Sequence, residues 1–513
     1  MKAVTADQMR AIEARCVAAG ISLDTLMENA GLAVANAVQE RLGGAAGKSV
    51  VVLVGPGNNG SDGYVAARHL ATHGAQVDAF NLSKRPDPDT WRQMAEAAGV
   101  RVVDRPGERT LADASAHSDI IIDAVLGTGP ARPIGEELAT LLRVVFENAQ
   151  DIVAVDLPTG MNADSGKFDQ RGLKAHQTLM LGLPKVGLIT TAGSGVCGEL
   201  RVLDIGIPEG LANDVMNEAL TGELARQLLP VRRADTNKGS FGRTLIVGGS
   251  ANYLGAPQLS ASAALRSGVG LVLLATSEPV YRLIAGRIDE AIYVPLAVKD
   301  NGDWDANIAC AELLAHSAGM NSVLIGPGLG QSPAAVQFVQ QVVRNLSGTV
   351  PVVLDADALN IVSRMHAWQD QLQAPAVITP HPGEMARLLG CSVAEVQEDR
   401  PSAATTAASK FNVTVVLKGA ATIVAAADGR VRISPWVNSG LAKAGTGDVL
   451  AGLLAGLLAQ MPNLPFDAAS LAVYVHGLAG EIAREQLGER GMIAGDVTVA
   501  LPDAFMQLEN GSS

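Results

Sequence analysis

The chain has 513 residues, of which 48% are hydrophobic and 18% charged, and carries a net charge of −13. That balance excludes binding to nucleic acid or an anionic membrane through bulk positive charge. At roughly 150 residues per domain the length predicts at least two domains, and 55 glycines with only 3% aromatics predict close helix-on-sheet packing. Cys16, Cys197, Cys310 and Cys391 are far apart, with no CxxC spacing, which points to a reducing cytoplasm. Met1 to Arg15 carries charges and lacks a signal-peptide core. The longest apolar run, Val449 to Ala459, is too short to span a bilayer and is broken by Gly452 and Gly456. A soluble cytoplasmic protein is expected.

Residues 5–19 and 24–42 have helical spacing, with Gly31 a candidate close-packing point in the second helix. Ser49-Val-Val-Val-Leu-Val54 reads as a strand buried on both faces. Gly55-Pro-Gly-Asn-Asn-Gly-Ser-Asp-Gly63 follows as a loop, and then a helix with Ala66, Ala67 and Leu70, an order suited to cradling phosphate. Gly55, Gly57 and Gly60 meet the GxGxxG spacing, with Asp78 further on, which by itself suggests a nicotinamide dehydrogenase. The side chains of Asn58, Asn59, Ser61 and Asp62 count against that, because a dehydrogenase turn keeps its side chains small. His69 and His73 have i, i+4 spacing without a third ligand, so a solvated helix face is expected there.

Two later strands end in acids. Asp119-Ile-Ile-Ile-Asp123 runs into AVLGTGPARP, and Ile152-Val-Ala-Val-Asp156 runs into LPTGMNADSG. In an open parallel sheet ligands bind beyond the carboxyl ends of the strands, so Asn59, Asp123 and Asp156 should share one rim. The competing reading is that these acids only cap loops.

GPGNNGSDG, DAVLGTG and DLPTGMNADSG resemble the signature loops of the YjeF N-terminal domain, the NAD(P)H-hydrate epimerase family, over about residues 9–212. The resemblance implies a Rossmann-like three-layer sandwich. It also implies a hydrated-dinucleotide site lined by Asn58, Asn59, Gly60, Ser61 and Asp62, by Gly127, Thr128, Gly129, Pro130, Ala131, Arg132 and Pro133, and by Asp156. Asn59, Asp123 and Thr159 would hold a potassium ion. Thr159 stands in place of the commoner Ser, Ser61 in place of Gly and Asn162 in place of Asp. Asp156 is the candidate acid/base. Lys185 is the second choice, and the reading preferred for it is a surface lysine.

From Pro208 to Gly239 the pattern loosens, which places the domain boundary near residue 220, with domains at 1–215 and 222–510. A second α/β series follows, with strand-like runs at 244–249, 270–276, 322–326, 351–355 and 376–379 separated mostly by helical stretches. Residues 413–419 and 421–426 look like paired strands, and Asp428-Gly429 turns into 431–434. Gly326-Pro-Gly-Leu-Gly330, Asp355-Ala-Asp-Ala-Leu-Asn360, Thr379-Pro-His-Pro-Gly-Glu384 and Lys418-Gly-Ala-Ala-Thr422 gather polar groups at strand ends.

The small-residue turn Gly445-Thr446-Gly447 precedes Asp448 and an apolar helix. Backbone N–H groups of Ala444, Gly445, Thr446 and Gly447 would lie at the positive end of the helix dipole, an anion hole. On this turn alone Asp448 is a helix cap or a base for an attacking hydroxyl, or both; with the GPGLG, HPGE and KGAAT stretches beside it, Asp448 is read as the catalytic base. KGSFGRTLIVGGS, YLGAP, GPGLG, DADALN, TPHPGE and AGTGDVLAG together resemble the ribokinase-like superfamily in its ADP/ATP-dependent NAD(P)H-hydrate dehydratase branch, over about residues 225–508. His381 replaces the Asn that sugar kinases carry, which agrees with that branch. The resemblance implies a ribokinase-like α/β domain in which Ala256, Gly328, His381 and Asp448 contact the S hydrate. Lys418, Gly419, Ala420, Ala421, Thr422 and Gly447 would contact the nucleotide, with magnesium accompanying ADP or ATP.

The expectation is thus a bifunctional repair enzyme for hydrated NADH and NADPH (NADHX and NADPHX). Its first half would epimerise the R and S hydrates, and its second half would dehydrate the S hydrate with ADP as the preferred nucleotide. A homo-oligomer is expected. The alternative is a kinase of a small alcohol with a non-catalytic dinucleotide-binding N-terminal domain.

Overall fold

The computed structural model describes residues 1–129, 133–190 and 195–511. Its contacts divide the chain between Ala219 and Leu220 into two compact units. The first carries strands β1 (Ser49–Val54), β2 (Gln76–Asn81), β3 (Arg101–Asp104), β4 (Ile120–Ala124), β5 (Ile152–Val155), β6 (Gln177–Leu181) and β7 (Glu199–Leu203). They form a seven-stranded sheet in the order β3-β2-β1-β4-β5-β6-β7, and every pair is parallel. One short strand, β8 (Asn217–Ala219), comes last in this unit.

Parallel strands need crossovers, and the helices that provide them cover both faces of the sheet. Side chains alternate accordingly. Val50, Val52 and Val54 enter one core, while Val51 and Leu53 enter the other. The helix Leu23–Leu42 lies against the helix Asn58–Thr72 with Gly31 at the crossing. A β-carbon on Gly31 would come 2.3 Å from Val65 Cβ, so only glycine allows this approach. The close-packing expectation for Gly31 holds.

Strand order reverses between β1 and β4, which makes their carboxyl ends the topological switch point where doubly wound sheets bind ligands. Gly55 follows β1 there, and Asp123 lies within β4. The sequence pattern foreshadowed β1, β4 and β5 as apolar runs. It did not mark β6 or β7.

The second unit contains β9 (Arg243–Val247), β10 (Leu271–Ser277), β11 (Ile292–Leu296), β12 (Ser322–Ile325), β13 (Val352–Leu354), β14 (Ala376–Ile378), β15 (Thr414–Leu417), β16 (Ile423–Ala425) and β17 (Val431–Ile433). Their order is β11-β10-β9-β12-β13-β14-β15-β16-β17. Pairing is parallel from β11 to β15 and antiparallel from there on. The switch point lies between β9 and β12, beside Gly326-Pro-Gly-Leu-Gly330. Thr446–Gln460 is a helix buried on nearly all sides, and it packs on the helix Gly255–Arg266 and on β9 and β12. Burial of each Leu or Val in it stabilises the unit by about 1.5–3 kcal/mol. No described helix is long and apolar enough to cross a membrane.

Candidate active sites

In the second unit a glycine turn opens the helix that carries Asp448. Gly445 has φ 92° and caps the helix Thr446–Gln460 without a side-chain hydrogen bond. A left-handed residue at this point is what glycine allows. Asp448 is the third residue of the helix and forms no capping bond. The cap reading therefore fails: its carboxylate is left free for other work. The Thr446 hydroxyl donates to the carbonyls of Leu441 (2.7 Å) and Lys443 (2.9 Å), which ties the turn together.

Two carboxylates, carried beyond the ends of β13 and β14, flank one ammonium. Lys418 Nζ lies 2.7 Å from Asp355 Oδ1 and 3.8 Å from Glu384 Oε2. The Thr379 hydroxyl donates to the same Asp355 oxygen at 2.7 Å. A β-carbon at Gly447 would sit 3.5 Å from Lys418 Nζ, so the ammonium faces the turn. Burial pulls the Lys418 pKa down, but Asp355 and Glu384 more than offset it and hold it above the ordinary value. Burial and the negative charge of Asp355 push Asp448 up to about 7, against the opposing pull of Lys418. Burial likewise raises Glu384 to about 7.

His381 caps the helix Pro382–Leu389. Its Nδ1 accepts from Gly383 N at 2.9 Å, and its backbone N–H donates to Glu384 Oε2 at 2.8 Å. With Nδ1 an acceptor, the ring proton resides on Nε2, 3.5 Å from Glu384 Oε1. Burial and the Lys418 charge lower the His381 pKa, so the neutral tautomer prevails. A β-carbon at Gly328 would meet Ala256 Cβ at 3.1 Å, which brings those two residues together. Asp357 accepts from Gly330 N at 2.8 Å and steadies the glycine loop. Ala421 is fully buried, so any nucleotide contact there runs through its backbone or its neighbours.

In the first unit the stretch read as a loop to Gly63 is already helical from Asn58. Asn58 to Asp62 form its first turn, in which Gly60 and Ser61 donate their N–H groups to the Gly57 carbonyl (3.1 and 3.3 Å). Asp123 is fully buried. Thr159 binds it twice, through its hydroxyl to Oδ1 (2.7 Å) and its N–H to Oδ2 (2.8 Å). Burial raises Asp123 to about 6. A β-carbon at Gly127 would fall 3.2 Å from Asn59 Oδ1, and the buried Asn59 Nδ2 has no hydrogen-bond partner among the described residues. Asn59 Nδ2 is thus a buried donor that no protein acceptor meets among the described residues. Pro130, Ala131 and Arg132 lie outside the described residues.

Asp156 has φ 65°, an uncommon conformation for a non-glycine residue, and accepts from Leu181 N at 3.0 Å. Lys185 is 1% exposed and ion-paired to Asp156, and it also donates to the Leu181 carbonyl at 2.8 Å. The expectation of a surface lysine is wrong. The segment after β6 folds inward and delivers Lys185 beneath the rim, a placement that no local pattern signals. Asp62 stands close enough to feel Asp156 and Glu13, and burial drives its pKa well above the ordinary value.

Two residues not foreseen in the sequence support these sites. Arg85, 6% exposed in its side chain, donates to the carbonyls of Gly55 and Gly57, to Ser61 Oγ (3.0 Å) and to Asp89 (2.6 Å). His476, on the helix Pro465–Gly491, is buried and donates Nε2–H to the Thr446 carbonyl at 3.0 Å. A lone His within the apolar run LAVYVHGLAG was its only signal. His69 is bonded to Glu28 at 2.8 Å and is not simply solvated. No group of three or more His, Cys, Asp or Glu among the described residues can hold a metal.

One parallel sheet and one mostly parallel sheet, each with polar groups gathered at a switch point, define a two-unit α/β protein of the doubly wound class. Comparison with known proteins gives the family. A family model described as NAD(P)H-hydrate dehydratase matches residues 244–503, and one described as YjeF-related protein N-terminus matches residues 23–187. The bifunctional NAD(P)H-hydrate repair enzyme Nnr of Moorella thermoacetica is 39% identical over 494 residues, 94% of this chain and 92% of that protein. The enzyme of the same name from Coxiella burnetii is 33% identical, covering 96% of each chain. The crystal structure of the ADP/ATP-dependent NAD(P)H-hydrate dehydratase from Bacillus subtilis, co-crystallised with ATP and Mg2+, is similar at 32% identity and TM-score 0.49. It covers 57% of this chain and 98% of that one. The chain belongs to the family of bifunctional NAD(P)H-hydrate repair enzymes. Relatives matched over nearly the whole length carry that name, so the small-alcohol kinase alternative is not supported.

Proposed function

We propose that the second unit removes water from the S hydrate of NADH and NADPH with ADP or ATP, and that the first unit interconverts the R and S hydrates. The observation that carries the reading is Asp448: a half-buried carboxylate with a pKa near 7, placed in the first turn of a helix whose N-terminus is an open anion turn.

Hydroxide is a poor leaving group, so the C6 hydroxyl is first made a phosphate ester. Asp448 takes the hydroxyl proton, and the oxygen attacks the terminal phosphorus of the nucleotide. N–H groups from Ala444 to Gly447 meet the charge that develops on the transferred group. Lys418 faces the same turn and adds a positive charge. Phosphate then leaves as the ring nitrogen lone pair forms the iminium, and loss of a C5 proton restores the C5–C6 double bond. Neutral His381 offers Nε2–H to the hydrate. Magnesium would accompany the nucleotide and screen its phosphate oxygens, and Asp355 and Glu384, which flank Lys418, are the carboxylates that would hold it. Lys418 to Thr422, with Gly447, receive the nucleotide; ADP is the preferred one.

In the first unit Asn59, Asp123 and Thr159 offer an amide, a carboxylate and a hydroxyl, an oxygen set that suits potassium better than a harder divalent ion. Asn58 to Asp62, with Gly127 to Gly129 and Pro133, line the dinucleotide, and Asp156 moves the proton that lets C6 lose its configuration. Asp62, its pKa raised by burial, is a second proton carrier at the same place. The protein works in the cytoplasm as a homo-oligomer. Separate assays of S and R hydrate with ADP, ATP or no nucleotide test the division of labour: S should require nucleotide, and R should convert without it.

A further inference from the structure

Next to the Gly55–Ser61 turn the first unit holds another cavity, of about 400 Å³, past the ends of β2 and β3. Ser83, Lys84, Arg85, Arg92, Asp104 and Arg105 are among the residues that line it. Its charges are not equivalent. Arg85 is committed to Asp89 and the turn, and Arg92 is committed to Glu96 (2.9 Å) and Asp104 (3.0 Å). Asp104 also accepts from Asn81 Nδ2 at 2.6 Å, so this acid is saturated. Lys84 and Arg105 are exposed, and their side chains have no hydrogen bond or ion pair among the described residues. The Ser83 hydroxyl is buried and has no hydrogen-bond partner among the described residues. Two uncommitted cations and one unmet hydroxyl therefore converge on one hollow. Asp87 on the rim is exposed like Lys84 and Arg105, so solvent screens all three alike and the two cations outnumber it.

The position in the fold says what the hollow is for. A dinucleotide laid across this sheet puts its diphosphate on the N–H groups at the start of the helix Asn58–Thr72. Its reacting ring goes to β4 and β5, where Asp123 and Asp156 stand, so the adenosine half crosses β1 toward β2 and β3. In doubly wound sheets the end of β2 reads the adenosine ribose: an acid there bonds a 2′-hydroxyl, and a cation accommodates a 2′-phosphate. Here β2 ends in Asn81, whose amide is already used by Tyr64 (2.7 Å) and Asp104. Leu82-Ser83-Lys84-Arg85 follows, with no free acid among these residues. Arg85 bonds both the glycine turn and the cavity wall, so the diphosphate site and the hollow are physically joined.

We infer that this cavity binds the phosphate monoester on the 2′-carbon of the adenosine ribose, with Lys84 and Arg105 supplying charge and Ser83 a hydroxyl. The first unit thereby favours NADPHX over NADHX. On a chain of net charge −13 a dianion needs such local cations to settle. The inference rests on the reading of the first unit as the epimerase.

The test uses the full chain and the Lys84→Ala/Arg105→Ala variant. R-hydrate consumption is measured for NADPHX and NADHX, with nucleotide-dependent turnover of the S hydrate as the control for folding. The ratio of kcat/KM for NADPHX over NADHX should drop about tenfold or more, as expected for losing charge-assisted hydrogen bonds. An unchanged ratio overturns the inference. A binding arm separates it from the epimerase reading: adenosine 2′,5′-bisphosphate, 5′-AMP and inorganic phosphate are titrated calorimetrically into both proteins. Weaker binding of the bisphosphate alone in the variant supports the subsite even if no epimerase activity is found. Equal loss for inorganic phosphate, or no loss for the bisphosphate, contradicts it.

Discussion

Lys418 and Asp355 are joined at 2.7 Å, Nζ to Oδ1, and they act on Asp448 in opposite directions. Burial is the largest influence on Asp448. Asp355 adds to the rise, Lys418 opposes it, and the result is a pKa of about 7. A general base works best with its pKa near the operating pH, because it is then largely ionised yet still basic.

The sign of the pH dependence follows. Asp448 must be ionised to take a proton, so kcat/KM for dehydration of the S hydrate should fall as pH drops through about 7. Lys418→Met removes the charge that favours the carboxylate and should move this acid limb upward by on the order of one unit. An acid limb near 4 in the wild-type protein would contradict the account.

His476 ties pH to stability through the turn. Burial lowers its pKa from 6.5 to about 4, so the unfolded chain binds a proton at pH values where the folded chain does not. Its contribution is therefore full above 6.5 and lost progressively as pH falls toward 4. In urea unfolding, His476→Gln should show a smaller loss of stability between pH 6.5 and 4 than wild type. It should also slow dehydration, since the Thr446 carbonyl loses its imidazole donor. Identical pH slopes would rule out this role.

Lys185 and Asp156 form a buried pair, and breaking it leaves a carboxylate without its counter-charge. Lys185→Met should destabilise the first unit by about 3–5 kcal/mol. Adding Asp156→Leu should recover much of that loss, and the coupling is read from a double-mutant cycle of unfolding free energies. Additive effects would mean that the pair is not energetically coupled.

Much of the fold was legible in the sequence because buried parallel strands are apolar runs that end in glycine or acid, as Val50 to Gly55 and Ile120 to Asp123 show. Strands without that signature were not: β7 is largely half-exposed, and β11 contains Pro295. The site residues carried by loops, such as His381 and Asp156, were legible as motif members. Their supports were not. Arg85, Lys185 and His476 act from 24 to 30 residues away from the groups that they hold, and single-sequence periodicity does not encode such pairings. Asp448 was legible as the base from its motif, whereas the sequence did not reveal that Gly445, not Asp448, caps the helix.

Asp156→Ala should separate the two activities. The S hydrate should still be repaired with ADP, while the R hydrate should persist at its spontaneous rate of conversion. Wild-type consumption of R by the variant would remove Asp156 from the epimerase step.

The most direct measurement concerns Asp448→Asn, assayed by the return of reduced-nicotinamide absorbance from purified S hydrate with saturating ADP or ATP. The substitution keeps the shape and removes the base, so nucleotide binding should survive while turnover falls by about 10²–10⁴-fold. Turnover above about a tenth of wild type, with binding intact, would show that another group takes the hydroxyl proton.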